Sequence, residues 1–118
     1  MPAKGAQDRV REQVSRWEGV TVARHRYGGW EFRVGRREIG HIHGDALVDI
    51  PFPRDVRDAL VASNEAEAHH VLPDSGWVSV FLHNDEDVDR AIRLLHRSFG
   101  IARVHRQRLA TAAHSEVG

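Results

Sequence analysis

Alternation of apolar and polar side chains is sharpest between Trp30 and Pro51, where three short runs are separated by Gly35-Arg36 and Gly44-Asp45. Glycine at the head of a two-residue loop is the signal of a type II′ hairpin, so the segment predicts a three-strand meander. In that register Val34 faces Arg37, Phe32 faces Ile39 and Trp30 faces His41; across the second turn His43 faces Ala46 and His41 faces Val48. One face then collects Trp30, Phe32, Val34, Ile39, His41, His43, Ala46, Val48 and Ile50. The other collects Glu31, Arg33, Glu38, Gly40, Ile42, Leu47 and Asp49. The first set is the expected core face. It carries two imidazoles, and it leaves Asp49 on the opposite side, where it cannot orient His41.

The flanking pattern supplies the other elements. Val10, Val14 and Trp17 recur at helical spacing, which predicts a helix over Ala6 to Trp17 after a frayed leader of residues 1–5, with Glu18-Gly19 as its stop. Val20 to His25 is the next strand, and Tyr27-Gly28-Gly29 the turn before the meander. Pro51-Phe52-Pro53 ends the meander, and Pro53 suits the first turn of a helix reaching about Ala62. Glu67 to Leu72 and Trp77 to Leu82 predict a second hairpin across Pro73-Asp74-Ser75-Gly76. Asn84 caps a last helix with Asp85, Glu86 and Asp87 in its first turn and an apolar stripe of Val88, Ala91, Ile92, Leu95 and Phe99. Glu86–Arg90 and Asp89–Arg93 have ion-pair spacing, Gly100 is the expected stop, and Ala112 to Gly118 is an expected disordered tail. The order α-β-β-β-β-α-β-β-α implies an α+β fold: one antiparallel sheet of about six strands with helices on one face, in one domain ordered over about residues 6–110.

A chain of 118 residues can bury a core without staples. The absence of cysteine excludes disulfides, zinc–thiolate sites and a cysteine nucleophile. No apolar run approaches the roughly 20 residues that span a bilayer, and the start lacks a signal-peptide core, so a cytoplasmic, non-membrane protein is expected. The net charge of zero hides a strong asymmetry. Residues 1–44 carry nine basic and five acidic side chains, residues 45–89 two and eleven, and residues 90–118 six and one. That asymmetry is a possible drive toward a homodimer.

The run Gly35-Arg-Arg-Glu-Ile-Gly-His-Ile-His-Gly-Asp, then Val48-Asp-Ile-Pro-Phe-Pro-Arg-Asp-Val-Arg-Asp, then His69-His-Val-Leu-Pro-Asp-Ser-Gly-Trp-Val-Ser-Val resembles the small bacterial proteins of the luciferase-domain family, over about residues 17–100. The resemblance implies little chemistry beyond the oxidative reaction its name suggests. The element order and the Trp77-Val-Ser-Val strand before an acidic-capped helix also resemble MmcQ/YjbR-like proteins. Fold likeness does not transfer function.

His41 and His43, at i and i+2 on one strand, are the candidate catalytic pair, with general acid–base work or metal ligation as the available roles. His69 or His70 would stand opposite, Trp30, Trp77 and Phe81 would wall a ligand pocket, and alternation does not decide which of the two adjacent histidines faces inward. Three readings of the imidazoles stand: rings satisfied inside a core, polar handles of a small-molecule pocket, or ligands of zinc, iron(II) or copper. The sequence names no cofactor. Asp45 and Asp74 sit in turns, where local hydrogen bonds account for them. Ser75, Ser79 and Ser98 lack a nucleophile-elbow context. Arg90, Arg93, Arg97, Arg103, Arg106 and Arg108 make the end of the chain basic, which a protein- or nucleic-acid-interaction module would use. Acidic partners at i−4 and the zero net charge argue against nucleic acid.

Overall fold

The computed structural model describes residues 2–25 and 28–117, with side chains as far as residue 113. Met1, Arg26, Tyr27 and Gly118 lie outside the described residues, and with them parts of the expected leader, turn and tail. The elements follow in the expected order: α1 (Ala6–Ser15), β1 (Val20–Arg24), β2 (Trp30–Val34), β3 (Arg37–His43), β4 (Leu47–Pro51), α2 (Arg54–Ala62), β5 (Glu67–Ala68), β6 (Trp77–Phe81) and α3 (Asp85–Val117). All strand pairings are antiparallel, in one six-stranded sheet of order β1-β2-β3-β4-β6-β5. This is the α+β architecture that the hydrophobic pattern predicts.

The register of the meander is where structure and pattern part. Val34 opposite Arg37 and Arg33 opposite Glu38 agree with expectation, but Phe32 then faces Gly40, Glu31 faces His41 and Trp30 faces Ile42. Ile39 is the extra residue of a β-bulge, and a bulge exchanges the faces of every residue beyond it. Ile39 therefore stays in the core with Phe32, while Ile42 replaces His41 on that face; both isoleucines are fully buried. The second turn differs too. Three residues rather than two separate β3 from β4, and His41 pairs with Asp49, Ile42 with Val48 and His43 with Leu47. Opposed residues share a face, so His41, His43 and Asp49 lie together on the side away from α3. The core face is instead Phe32, Ile39, Ile42, Val48, Ile50, Val78 and Val80, packed on Val10, Val14, Leu60, Leu95 and Phe99.

Both departures have identifiable causes. Gly40 sits at φ 154°, and a Cβ there would lie 2.4 Å from Leu95 Cδ2 and 3.0 Å from the Asp49 carbonyl oxygen. Only a residue without a side chain lets α3 approach the bulge so closely. In the second turn the extra residue frees Asp45 from purely local bonding. Its carboxylate accepts the backbone N–H groups of Gly5 at 3.2 Å and Gln7 at 2.9 Å, and so caps α1 across the fold. The adjacent Ala46 carbonyl accepts Leu82 N–H at 2.8 Å.

Three further expectations change. Residues 2–5 are not a loose leader: Ala3 is buried and its N–H donates to the Leu82 carbonyl at 2.9 Å. The second hairpin shrinks to Glu67–Ala68 against Ser79 and Val78, and residues 69–76 form a loop. Gly100 does not end the last helix, and the expected disordered tail continues it to Val117. Glycine costs a helix interior only about 1 kcal/mol, and Leu94, Leu95, Phe99 and Ala102 hold α3 on both sides of it. Its ion pairs also differ, with Arg90 on Asp87 at 2.9 Å and Asp89 on Arg9 of α1.

The start of α3 is capped reciprocally. Asp87 N–H donates to Asn84 Oδ1 at 2.9 Å, while the Asp87 carboxylate accepts His83 N–H at 2.8 Å and Arg90 at 2.9 Å. Partial desolvation works to raise the Asp87 pKa, but those hydrogen bonds prevail and hold it below its ordinary 3.8. Its contribution is present above the unfolded pKa and disappears as pH falls through the lower folded value. Asp87→Ala is expected to lower stability by about 1 kcal/mol at pH 7, a difference that closes in urea titrations repeated below pH 3.8. Gly40→Ala should cost at least about 2 kcal/mol in the same assay, through positive φ and overpacking; a near-neutral change would contradict the bulge.

Candidate functional site

On the open face of the sheet, β3 and β4 bring one buried carboxylate into a ring of imidazoles. Asp49, 1% exposed, accepts the Ser79 hydroxyl on Oδ1 at 2.6 Å. Its other oxygen, Oδ2, lies 3.2 Å from His41 Nε2, 3.4 Å from His43 Nε2 and 3.4 Å from His69 Nε2. The far nitrogen of His41, Nδ1, meets Glu38 Oε2 at 2.6 Å. His25 stacks on His41 with ring centroids 4.2 Å apart, and Trp77 stands 5.3 Å away on another side.

Each protonation state follows from these contacts. Burial favours the neutral form of His41, but hydrogen bonds and charge from Asp49 and Glu38 outweigh it and raise its pKa from 6.5 to about 9. It is an imidazolium at neutral pH. His43 is half-buried beside that cation, and burial together with the His41 charge lowers its pKa. Burial works to raise the Asp49 pKa, yet the hydrogen bonds from His41 and Ser79 hold it below 3.8. The His69 tautomer is fixed by its loop. Its Nδ1 accepts the N–H groups of Val71 at 3.1 Å and Leu72 at 3.0 Å, so its proton sits on Nε2, pointing toward Asp49.

A cavity of about 410 Å³ opens above this cluster. Trp77, Val71 and Leu72 give it apolar walls, and His25, Glu38 and His70 complete its lining around the four central residues. The loop of residues 69–76 forms one side. It is tied down by Phe52 N–H to the Gly76 carbonyl at 3.0 Å, and by the Arg57 guanidinium to the Pro73 carbonyl. Val71 and Leu72, on that loop, are exposed by 67% and 51%. Among the described residues, three overlapping groups bring candidate ligand atoms within 4.8 Å of one another: His25, Glu38 and His41; His41, His43 and Asp49; and Asp49, His69 and His70.

Of the residues singled out in the sequence, His41, His43, His69, His70 and Trp77 meet around this cavity, but on the face opposite the helices rather than on the apolar one. His69 is the buried member of its pair and His70 is exposed. Trp30 and Phe81 do not line it. Trp30 stays on the helix side with the Arg11 and Arg24 guanidinium groups over its ring, and Phe81 stacks near His83. Sequence reasoning missed Glu38, Asp49, Ser79 and His25. The first three were legible as polar residues on alternating strand positions, and only the inverted register hid their convergence with the histidines. His25 follows β1, and nothing in its local pattern marks it.

The basic end of the chain is dispersed along α3, with Arg103 over the Phe99 ring at 5.5 Å. Among the described residues no helix is long and apolar enough to cross a membrane. Removing the Ser79 hydroxyl strands a buried carboxylate oxygen, so Ser79→Ala should cost about 1–3 kcal/mol in chemical denaturation. A change below about 0.5 kcal/mol would mean that Asp49 does not depend on it.

Residues 36–98 match the family model described as the luciferase domain. No curated protein and no solved structure matches the chain.

Proposed function

The chain belongs to the luciferase-domain family, and from that premise we propose that its open-face cavity binds a small organic molecule and acts on it through the histidine–aspartate cluster. The carrying observation is the meeting of His41, His43, His69 and Asp49 at the floor of a cavity of about 410 Å³ walled by Trp77, Val71 and Leu72. Ligand pockets have this composition: apolar walls that supply affinity and a few converging polar groups that fix orientation. Exposed Val71 and Leu72 at the rim support the same reading, since large apolar side chains in water gain from being covered. The matching ligand has a flat apolar body, to lie along Trp77, and an acidic or hydrogen-bonding group for the imidazoles.

In this reading His41 and His43 are the catalytic pair, while Asp49, Glu38 and Ser79 orient them. His69, held by its own loop, links ligand contact to the position of residues 69–76. Trp77 and Leu72 provide the apolar contacts. A second reading, a docking surface on the distal part of α3, has one observation behind it: Val104 and Leu109 are about half exposed there, at 48% and 58%.

A thermal-shift screen of aromatic acids, phenols and enols tests the proposal without a prior choice of substrate. The expected hits raise the midpoint of the native chain, and they lose that effect in Leu72→Asp and Trp77→Ala. Stabilisation that survives both substitutions, or no stabilisation across the screen, contradicts the pocket. Val104→Asp together with Leu109→Asp should leave the hits unchanged.

A further inference from the structure

We propose that His41 Nε2, His43 Nε2 and Asp49 Oδ2 bind one first-row divalent transition-metal ion at the floor of the cavity. The inference deepens the pocket reading and rests on it. The distances are the first argument. Two ligand atoms at about 2.0–2.1 Å from a tetrahedral ion stand about 3.3–3.5 Å apart. Asp49 Oδ2 is 3.2 Å from His41 Nε2 and 3.4 Å from His43 Nε2. The three residues each offer a ligand atom within 4.8 Å of those of the other two. A cation there would take the place of the protons that otherwise hold the rings to the carboxylate.

The surroundings are the second argument. A histidine ligand ordinarily donates its other ring N–H to a carboxylate, and a ligating carboxylate is itself hydrogen-bonded. His41 Nδ1 meets Glu38 Oε2 at 2.6 Å, and Asp49 Oδ1 accepts Ser79 Oγ at 2.6 Å. The two other groupings do not meet these requirements. In one, His41 Nδ1 and Glu38 Oε2 are 2.6 Å apart, closer than two ligands of one ion stand. The other needs a lone pair on His69 Nε2, whereas its lone pair is on Nδ1, facing the N–H groups of Val71 and Leu72. His69 is therefore a positioning residue whose Nε2 stands 3.4 Å from Asp49 Oδ2. Two imidazoles and one carboxylate suit zinc, iron(II), manganese or cobalt, and leave positions for a ligand in the cavity.

Cobalt(II) serves as the probe, because its visible absorption reports coordination directly. Untagged protein, stripped with a chelator and dialysed, is titrated with cobalt(II) while absorbance and the melting midpoint are followed. One ion per chain is expected, with new visible bands. His43→Ala, at a half-exposed position, should abolish both signals while circular dichroism shows the fold intact. Glu38→Gln should weaken affinity about 10–100-fold. Binding that persists in His43→Ala, or no saturable binding in the native chain, overturns the metal site. The screen hits are retested on the same stripped protein. Hits without cobalt binding would leave the pocket standing and sink the metal, whereas cobalt binding with no hits at all would do the reverse.

Discussion

A carboxylate sealed from water needs partners, and Asp49 sets the terms for everything on the open face of this sheet. It is 1% exposed, and an ion so buried is tolerated only when its oxygens are matched by donors. Ser79 matches one oxygen, and three imidazoles crowd the other. Glu38 then balances the far side of His41. Remove the aspartate and His41 loses its central counter-charge, His69 its neighbouring negative charge and Ser79 its partner at once. The polar network is therefore a unit, and its members should respond to substitution non-additively.

The network exists because two local devices agree. The bulge at Ile39 carries His41 and His43 to the open face, and the three-residue turn after His43 brings Asp49 to the same side. The bulge alone would bring the histidines to the open face without Asp49, and the turn alone would pair Asp49 with His41 on the helix-covered face. Each is in turn anchored to a helix, the bulge by the close approach of Leu95 to Gly40 and the turn by the Asp45 cap on α1. Helix packing on one face thus fixes chemistry on the other. The loop of residues 69–76 completes the enclosure, with His69 reading its conformation through two backbone N–H groups.

Most of the fold was legible in the sequence because helix stripes and strand runs are local signals. The capped start of α3, the first hairpin turn and the order of elements all followed from such signals. The face assignment did not. Strand alternation has period two, so one extra residue inverts every later position, and Ile39-Gly40 looks like ordinary alternation until α3 is present to demand the glycine. The end of α3 was misplaced for the opposite reason: Gly100 is a sound local stop that tertiary packing overrides. The histidines were found because their residue type and number stand out; Asp49 and Glu38 were lost because acidic residues on a strand usually mark its wet side.

The central claim is that one carboxylate organises three imidazoles, and ring-nitrogen NMR of chelator-treated protein tests it most directly. At neutral pH His41 should be protonated on both nitrogens, with a pKa of about 9, and the neutral His69 ring should be the Nε2–H tautomer. Asn in place of Asp49 must then disturb the signals of His41, His43 and His69 together. A His41 ring titrating near the ordinary 6.5, with the ring signals indifferent to that replacement, would contradict it.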